Sequence, residues 1–396
     1  MKPEIDPCVY ATKTQSARES LRTCPAFSCM LQERGTQDLF IPYTETTETL
    51  QPDEERIVRD IVSHMAAAQA RNAERHRHAH RDAHAKSHAV LKGRMAVHDG
   101  LVPELAQGIF AAPREYEVVA RLSSAPGDIH SDSIPEPRGF AIKIIGVEGE
   151  RLVPELGGAN QDFLMVNFPI LAFGTVQKYK KMLTLLERRA QAPEAVQKAT
   201  AATARGVRGL VKAVGATPGA TLQGLARDRA HVLGETFHTQ AAIRYGDYIA
   251  KLSLAPQGEV AVLTGQEVGD GFSAMADAVA AHFARAGASY ELRAQLCTDA
   301  ENMPVEDAAI LWDPDASPHV PIATLQFEPQ DVLSPARRVH GDDHLAFNPW
   351  NGVAAHRPLG SIMRVRKAAY ESSSAQRHRL NAVPRAEPSA LADIPD

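Results

Sequence analysis

Tyr290-Glu-Leu-Arg-Ala-Gln-Leu-Cys297 alternates apolar and polar side chains without a break. A period of two puts Tyr290, Leu292, Ala294 and Leu296 on one face, the pattern of a half-buried antiparallel strand. Upstream, Thr239–Tyr245 and Tyr248–Leu254 read the same way and flank Gly246-Asp247, a two-residue hairpin signal. Further strand patterns stand at Gly93–Val97, Tyr116–Ser123, Gly139–Ile145, Asp162–Asn167 and Ile322–Phe327. They fall four on each side of a helical region rich in Ala, Leu, Lys and Arg. That region starts at Val176, reaches about Val214 and ends in the Gly, Pro and Thr residues from Gly215 to Gly219. The absence of regular strand–helix alternation argues against a doubly wound parallel sheet. No period of roughly 20–50 residues points to a repeat protein. The expected fold is α+β, with an antiparallel eight-stranded β-barrel core, a helical insertion and C-terminal helices. Closure into a barrel would remove exposed edges.

The bulk properties exclude several classes of function. The chain has 396 residues, 44% apolar and 23% charged, with a formal net charge of −5. That is an ordinary globular composition, long enough for a sizeable core, and not the basic footprint of a nucleic-acid binder. No apolar run approaches the roughly 20 residues needed to span a bilayer. Met1-Lys-Pro-Glu-Ile-Asp6 lacks the apolar stretch of a secretory signal, so a cytoplasmic setting is expected. Cys8, Cys24, Cys29 and Cys297 are too few and too irregular for a disulfide framework. Cys24 and Cys29 can pair or bind something, but free thiols suit a reducing cytosol. Residues 1–45 read as an N-terminal arm, 46–380 as the main domain, and 381–396 as a frayed Pro/Ala-rich tail.

From Pro52, the residues Ile57, Ile61, Val62, Met65 and Ala68 recur at helical spacing. This helix runs into a histidine-rich stretch in which His76, His80, His84 and His88 stand four apart. On one helical face they could bind zinc or nickel. Arginines interleave them and no cysteine or carboxylate cluster completes the set, so a solvated basic face is the expectation. A short helix is expected from Val102 to Phe110.

Near the other end, Arg366-Lys-Ala-Ala-Tyr370 places an arginine and a tyrosine on one face of a helix. A phenolate can bind ferric haem, and a guanidinium beside it favours the ionised oxygen. The flanking segments are Phe347-Asn-Pro-Trp-Asn-Gly-Val353, Pro358-Leu-Gly360 and Arg377-His-Arg-Leu380. Asp132-Ser-Ile-Pro-Glu-Pro-Arg-Gly-Phe-Ala-Ile-Lys143 carries an Arg-Gly-Phe-Ala-Ile-Lys core, preceded by Ala120-Arg-Leu-Ser-Ser124. Lys86-Ser-His-Ala-Val-Leu-Lys-Gly93 and Asn160-Gln-Asp-Phe-Leu-Met-Val-Asn-Phe-Pro169 complete the set. In their order along the chain, from about Thr46 to Leu380, these segments resemble the catalase family.

The resemblance implies haem b, with its iron, as cofactor and a small-molecule peroxide as substrate. It leaves a reducing donor, NADPH and a homo-oligomer open. It assigns Tyr370 as the iron ligand with Arg366 beside it, Arg121 to a haem propionate and Arg377 to cofactor binding. His88 becomes the distal base, Asn160 the distal carboxamide and Ser123 the hydroxyl near the histidine. Phe163 and Phe168 are assigned to the pocket wall. There are departures from the pattern. Ala85 stands three residues before His88, where the family places a propionate-binding arginine. Ser87 stands immediately before His88 in place of the usual valine, and extra residues follow Tyr370. Ser87 points to a runner-up, a hydroperoxide isomerase or dehydratase of the allene oxide synthase type acting on lipid hydroperoxides. Haem storage or sensing and a histidine metal module rank below it.

Overall fold

The computed structural model describes residues 39–134, 136–190 and 229–396. Most of the expected N-terminal arm, the three cysteines in it, and the expected helical stretch beyond residue 190 lie outside the described residues.

Nine strands form one antiparallel sheet. They are β1 (Ser87–Val97), β2 (Glu115–Ser124), β3 (Arg138–Ile145), β4 (Asn160–Val166), β5 (Phe237–His238), β6 (Ile243–Tyr245), β7 (Tyr248–Gln257), β8 (Ala288–Leu296) and β9 (Val320–Phe327). The order β5-β4-β3-β2-β1-β9-β8-β7 closes on itself because β5 also pairs with β7, through Phe237–Leu254 and His238–Ser253. Eight strands therefore make the ring, and β6 hangs on β7 as a hairpin with Gly246-Asp247 at its tip. The single strand expected from Thr239 does not form. Gln240 takes a left-handed conformation (φ 65°), and only Ile243–Tyr245 of the run pairs, as β6. The helix expected over Val102–Phe110 shrinks to one 3-10 turn at Gly108–Phe110, where Gly108 itself sits at φ 54°.

Period-two alternation fills the barrel. On β3, Phe140, Ile142 and Ile144 point inward, while Ala141 and Lys143 point outward. Phe140 meets Phe237 and Tyr290 edge-on, each at a ring separation of 5.2 Å. Phe163 of β4 also points inward, stacked near Phe110 at 6.4 Å. Outside, Lys143 is fully buried and pairs with Asp162 at 2.7 Å and Glu387 at 2.8 Å. Glu387 belongs to the C-terminal segment, which is seated on the barrel. Ile394 is buried, and Asp396 accepts from Lys92 at 2.5 Å. The frayed tail of the sequence reading is corrected here, because charge pairing and a buried isoleucine hold it down.

Among the described residues four longer helices accompany the barrel: α1 (Glu54–His76), α2 (Val176–Ala190), α3 (Ala274–Phe283) and α4 (Ser361–Asn381). Ile57 and Ile61 of α1, Val176 and Leu183 of α2, and Val365 of α4 share one apolar cluster. Arg364 ties the start of α4 to Glu48 (2.5 Å), Glu54 (2.6 Å) and Glu306 (2.9 Å). Helix α1 stops at His76 because Arg77 turns left-handed (φ 56°). His76, His80, His84 and His88 therefore share no helical face, and His88 lies on β1. Instead of facing solvent, His76 pairs with Asp128 at 2.5 Å and His78 with Asp343 at 2.7 Å. Among the described residues no group of three or more His, Cys, Asp or Glu is placed to hold a metal ion, and no helix is long and apolar enough to cross a membrane.

Candidate functional site

Between the outer face of the barrel and helices α1, α2 and α4 lies a cavity of about 540 Å³. The barrel supplies Ala141, Leu164 and Val166, the outward residues of β3 and β4, and α4 supplies Ile362, Val365 and Ala369. These apolar side chains come from elements whose other faces are already packed, so the cavity is a consequence of two-sided patterning.

On the α4 side, Arg366 and Tyr370 are one turn apart and both line the cavity. Arg366 Nη2 donates to Tyr370 Oη at 2.9 Å, and the guanidinium sits 5.1 Å from the ring centre. The helix continues this face through Ser373 and Ser374 to Arg377.

Across the cavity the polar residue is His84. Its Nδ1 lies 3.0 Å from Ser123 Oγ on β2. The backbone at His84 is left-handed (φ 56°), an uncommon conformation for a side chain of this size. A Cβ on Gly139 would stand 2.5 Å from the His84 ring, so only glycine leaves room for the imidazole there. Burial, reinforced by the charges of Arg121, Arg366 and Arg81, holds the imidazole down to about 3. It is therefore neutral at ordinary pH.

Three guanidiniums meet at the cavity edge: Arg81, Arg121 and Arg377. Arg81 donates to the carbonyls of Gly341 and Leu345, each at 2.8 Å. Arg121 donates to His84 O at 2.9 Å and to Asp342 at 3.1 Å. Arg377 donates to the carbonyls of Asp342 (2.5 Å), Asp343 (2.7 Å) and Leu345 (2.9 Å). Burial, and next to it Arg121, pushes Arg377 down to about 10 and Arg81 well below the usual arginine range. Arg121 Nε is buried with no hydrogen-bond partner. Asp342 faces Arg121 and Arg81, and Asp343 and Asp82 also act on this cluster.

The structure brings Tyr370, Arg366, Arg121, Arg377, Ser123 and Phe168 together around this cavity. It does not bring His88, Asn160 or Phe163 there. His88 is fully buried behind the wall, with Nε2 at 2.8 Å from Ser124 Oγ. Asn160 starts β4 at the end opposite Val166 and gives its amide to Glu387 and Pro388 O, both at 3.1 Å. Asn167, the other asparagine of that segment, binds Arg138 N and Glu235, each at 2.8 Å. Phe163 faces the barrel interior by alternation. Ser87 lies outside the cavity as well, and the residue before His84 is Ala83, without a hydroxyl. His84, Arg81 and Gly139 were missed. The signal for the first two was present: Arg81 stands three residues before His84, the spacing found absent at His88.

No protein-family model matches the chain, and no curated protein matches it in sequence. Solved structures do. A fungal catalase superposes with a TM-score of 0.54 at 15% identity, covering 88% of this chain and 67% of that one. A bacterial catalase gives 0.55 at 13% identity, covering 96% and 68%. Catalase A from Saccharomyces cerevisiae gives 0.54 at 16% identity, covering 88% and 70%. At such identities the likeness speaks for architecture: the chain has the catalase-like fold, a closed eight-stranded antiparallel barrel with helices packed against it.

Proposed function

We propose that the chain is a haem-dependent enzyme that consumes hydrogen peroxide or organic peroxides. The observation that carries this reading is one cavity faced by the Tyr370–Arg366 pair and the His84–Ser123 pair, with three guanidiniums on its edge.

The residues fit haem b. Its two carboxylates would meet the guanidiniums of Arg81, Arg121 and Arg377, where Arg121 Nε is buried without a hydrogen-bond partner. The cavity volume lies in the ordinary range for bound small molecules. Tyr370 Oη would hold the iron, with Arg366 setting a positive charge against that oxygen. When bound, the haem supplies the electrons that cleave the peroxide O–O bond.

The chain supplies the proton handling. When His84 Nδ1–H donates to Ser123 Oγ, the tautomer is fixed and Nε2 is the basic nitrogen. It takes the peroxide proton and returns it to the departing oxygen. With neither Asn160 nor Asn167 turning an amide to the cavity, His84 is left to orient the peroxide against Val166 and Phe168.

The test is an absorption spectrum of purified protein supplied with haem b, followed by oxygen release from hydrogen peroxide. Oxygen release supports catalase activity. Peroxide loss only with a reducing donor supports peroxidase activity. Turnover of a fatty-acid hydroperoxide alone would move the assignment to the isomerase. Failure to retain haem would end the haem reading.

A further inference from the structure

The segment that carries His84 touches the helix that carries Tyr370 through a pair of side chains to which the reaction above gives no task. Asp82 stands two residues before His84 and Ser373 three residues after Tyr370, and both line the cavity. Ser373 Oγ donates to Asp82 Oδ1 at 2.5 Å and accepts from Asp82 N at 3.4 Å, so the two residues grip each other twice. Gln69 of α1 stands behind the contact, its Nε2 donating to His80 O at 2.7 Å and to Ser373 O at 3.1 Å. On the far side, a Cβ on Gly127 would collide with Asp82 O, and His84 N donates to Ala125 O at 2.8 Å. Burial pushes the Asp82 carboxyl up, and the Ser373 hydroxyl is foremost among the groups that hold it back.

The segment cannot fix its distance from α4 by its own conformation. Between the end of α1 and the start of β1 it has no regular repeat, and its backbone is left-handed at Arg77 and at His84. Asn381 also holds it, through Ala79 N at 2.9 Å and Ala79 O at 3.0 Å. That tie lies eleven residues beyond Tyr370, about 16 Å along the helix axis, whereas Ser373 is only about 4.5 Å along it.

We propose that Asp82 is a positioning residue. Through Ser373 it sets the distance between His84 and Tyr370, which keeps the imidazole within reach of a peroxide and out of reach of the iron. The inference rests on the peroxide-consuming reading of the same cavity. A general base must stand within roughly 2.6–3.2 Å of the atom whose proton it takes. Neutral imidazole is also a common metal ligand. A wall free to move inward would put His84 where the substrate belongs, and one free to move outward would leave the proton untaken.

The experiment uses the full chain supplied with haem b and compares wild type, Asp82→Ala, Ser373→Ala and the double variant. Wild type is expected to give the high-spin ferric spectrum of a phenolate-bound haem. Each single variant should add a low-spin component, and that component should vanish when His84→Ala is combined with it. The kcat for hydrogen peroxide should fall about tenfold with little change in KM, the worth of one hydrogen bond to a charged group. The double variant should lose no more than the worse single one, because both act through one contact. Ser373→Thr keeps the hydroxyl and should recover most of the loss. If Asp82→Ala folds poorly, Ser373→Ala carries the test, since it leaves the carboxylate and the His84 segment in place. A wild-type spectrum and kcat in folded Ser373→Ala, or a low-spin component that survives the loss of His84, would overturn the proposal. A wild-type chain that takes up haem but consumes no peroxide would overturn the function reading instead, and the spectra would still decide the span.

Discussion

The two walls of the cavity are built by different rules. Helix α4 presents Arg366, Tyr370 and Arg377 from one continuous face, each set by the helical repeat alone. The opposite wall takes His84 from a segment with no regular repeat, between the end of α1 and the start of β1, with a left-handed backbone at the histidine itself. A regular helix lets sequence spacing stand for geometry. A strained turn does not, because a tertiary contact rather than a local repeat decides where the side chain goes.

The largest expected effect tests the helical wall. Tyr370→Phe keeps the ring and removes the oxygen that Arg366 touches. Haem retention after gel filtration should fall at least tenfold, or the ferric spectrum should change outright. A fully loaded variant with the wild-type spectrum would remove Tyr370 from the site.

The irregular wall is tested by a pair of variants. His84→Ala should lower peroxide turnover by roughly 10²–10⁴ while haem stays bound, the usual worth of a general base. His88→Ala breaks a buried contact with Ser124 and should act on thermal stability instead. The reverse pattern, with turnover lost at His88 and kept at His84, would return the base to the residue first favoured by sequence.

Gly139→Ala probes how tightly the turn is held. A methyl 2.5 Å from the imidazole must displace it. A loss of about tenfold in kcat, equal to ~1.4 kcal/mol, is expected with little change in peroxide KM. Ser123→Ala should cost less, about threefold to fivefold in kcat, since it removes one neutral hydrogen bond of roughly 1 kcal/mol. Equal kcat values for both variants and wild type would mean that the imidazole needs neither support.

The smallest effect is a flat line. The His84 pKa of about 3 in the folded chain lies below the ordinary histidine value of 6.5. Turnover should therefore show no acid limb near 6.5. On acidification the unfolded chain takes up this proton first, so the stability contributed by the neutral imidazole is complete above 6.5 and is lost as pH falls towards 3. A pH–rate profile and denaturation midpoints at several pH values check both statements. An acid limb at 6.5 that vanishes in His84→Gln would contradict the buried, neutral imidazole.

Much of the architecture was legible because barrel strands repeat every two residues. Tyr290–Leu296 and Gly139–Ile145 alternate as expected, and seven of the ring's strands were found from that signal. The eighth, Phe237–His238, is two residues long and carries no period at all. The histidines at four-residue spacing imitated a helix, yet Arg77 ends the helix before they can align. The distal assignment to His88 came instead from the resemblance of Lys86–Gly93 to a catalase segment. Ala85 stands three residues before His88, whereas Arg81 stands three residues before His84. Asn160 lies away from the cavity for a different reason. A strand of seven residues has two ends about 20 Å apart, and composition does not say which end meets the cavity.

The Lys143–Glu387 contact joins positions 244 residues apart. Lys143 finds Asp162 only 19 residues later, but the second carboxylate must wait for the ribosome. At roughly 5–20 residues per second that wait is about 10–50 s. During it, the Asn160 and Asn351 amides that meet Glu387 also lack their partner. The β3–β4 pair can form early, but its outer charge balance is completed late in synthesis. A nascent chain stalled before residue 387 should therefore leave this face open to proteases long after the strands themselves have paired.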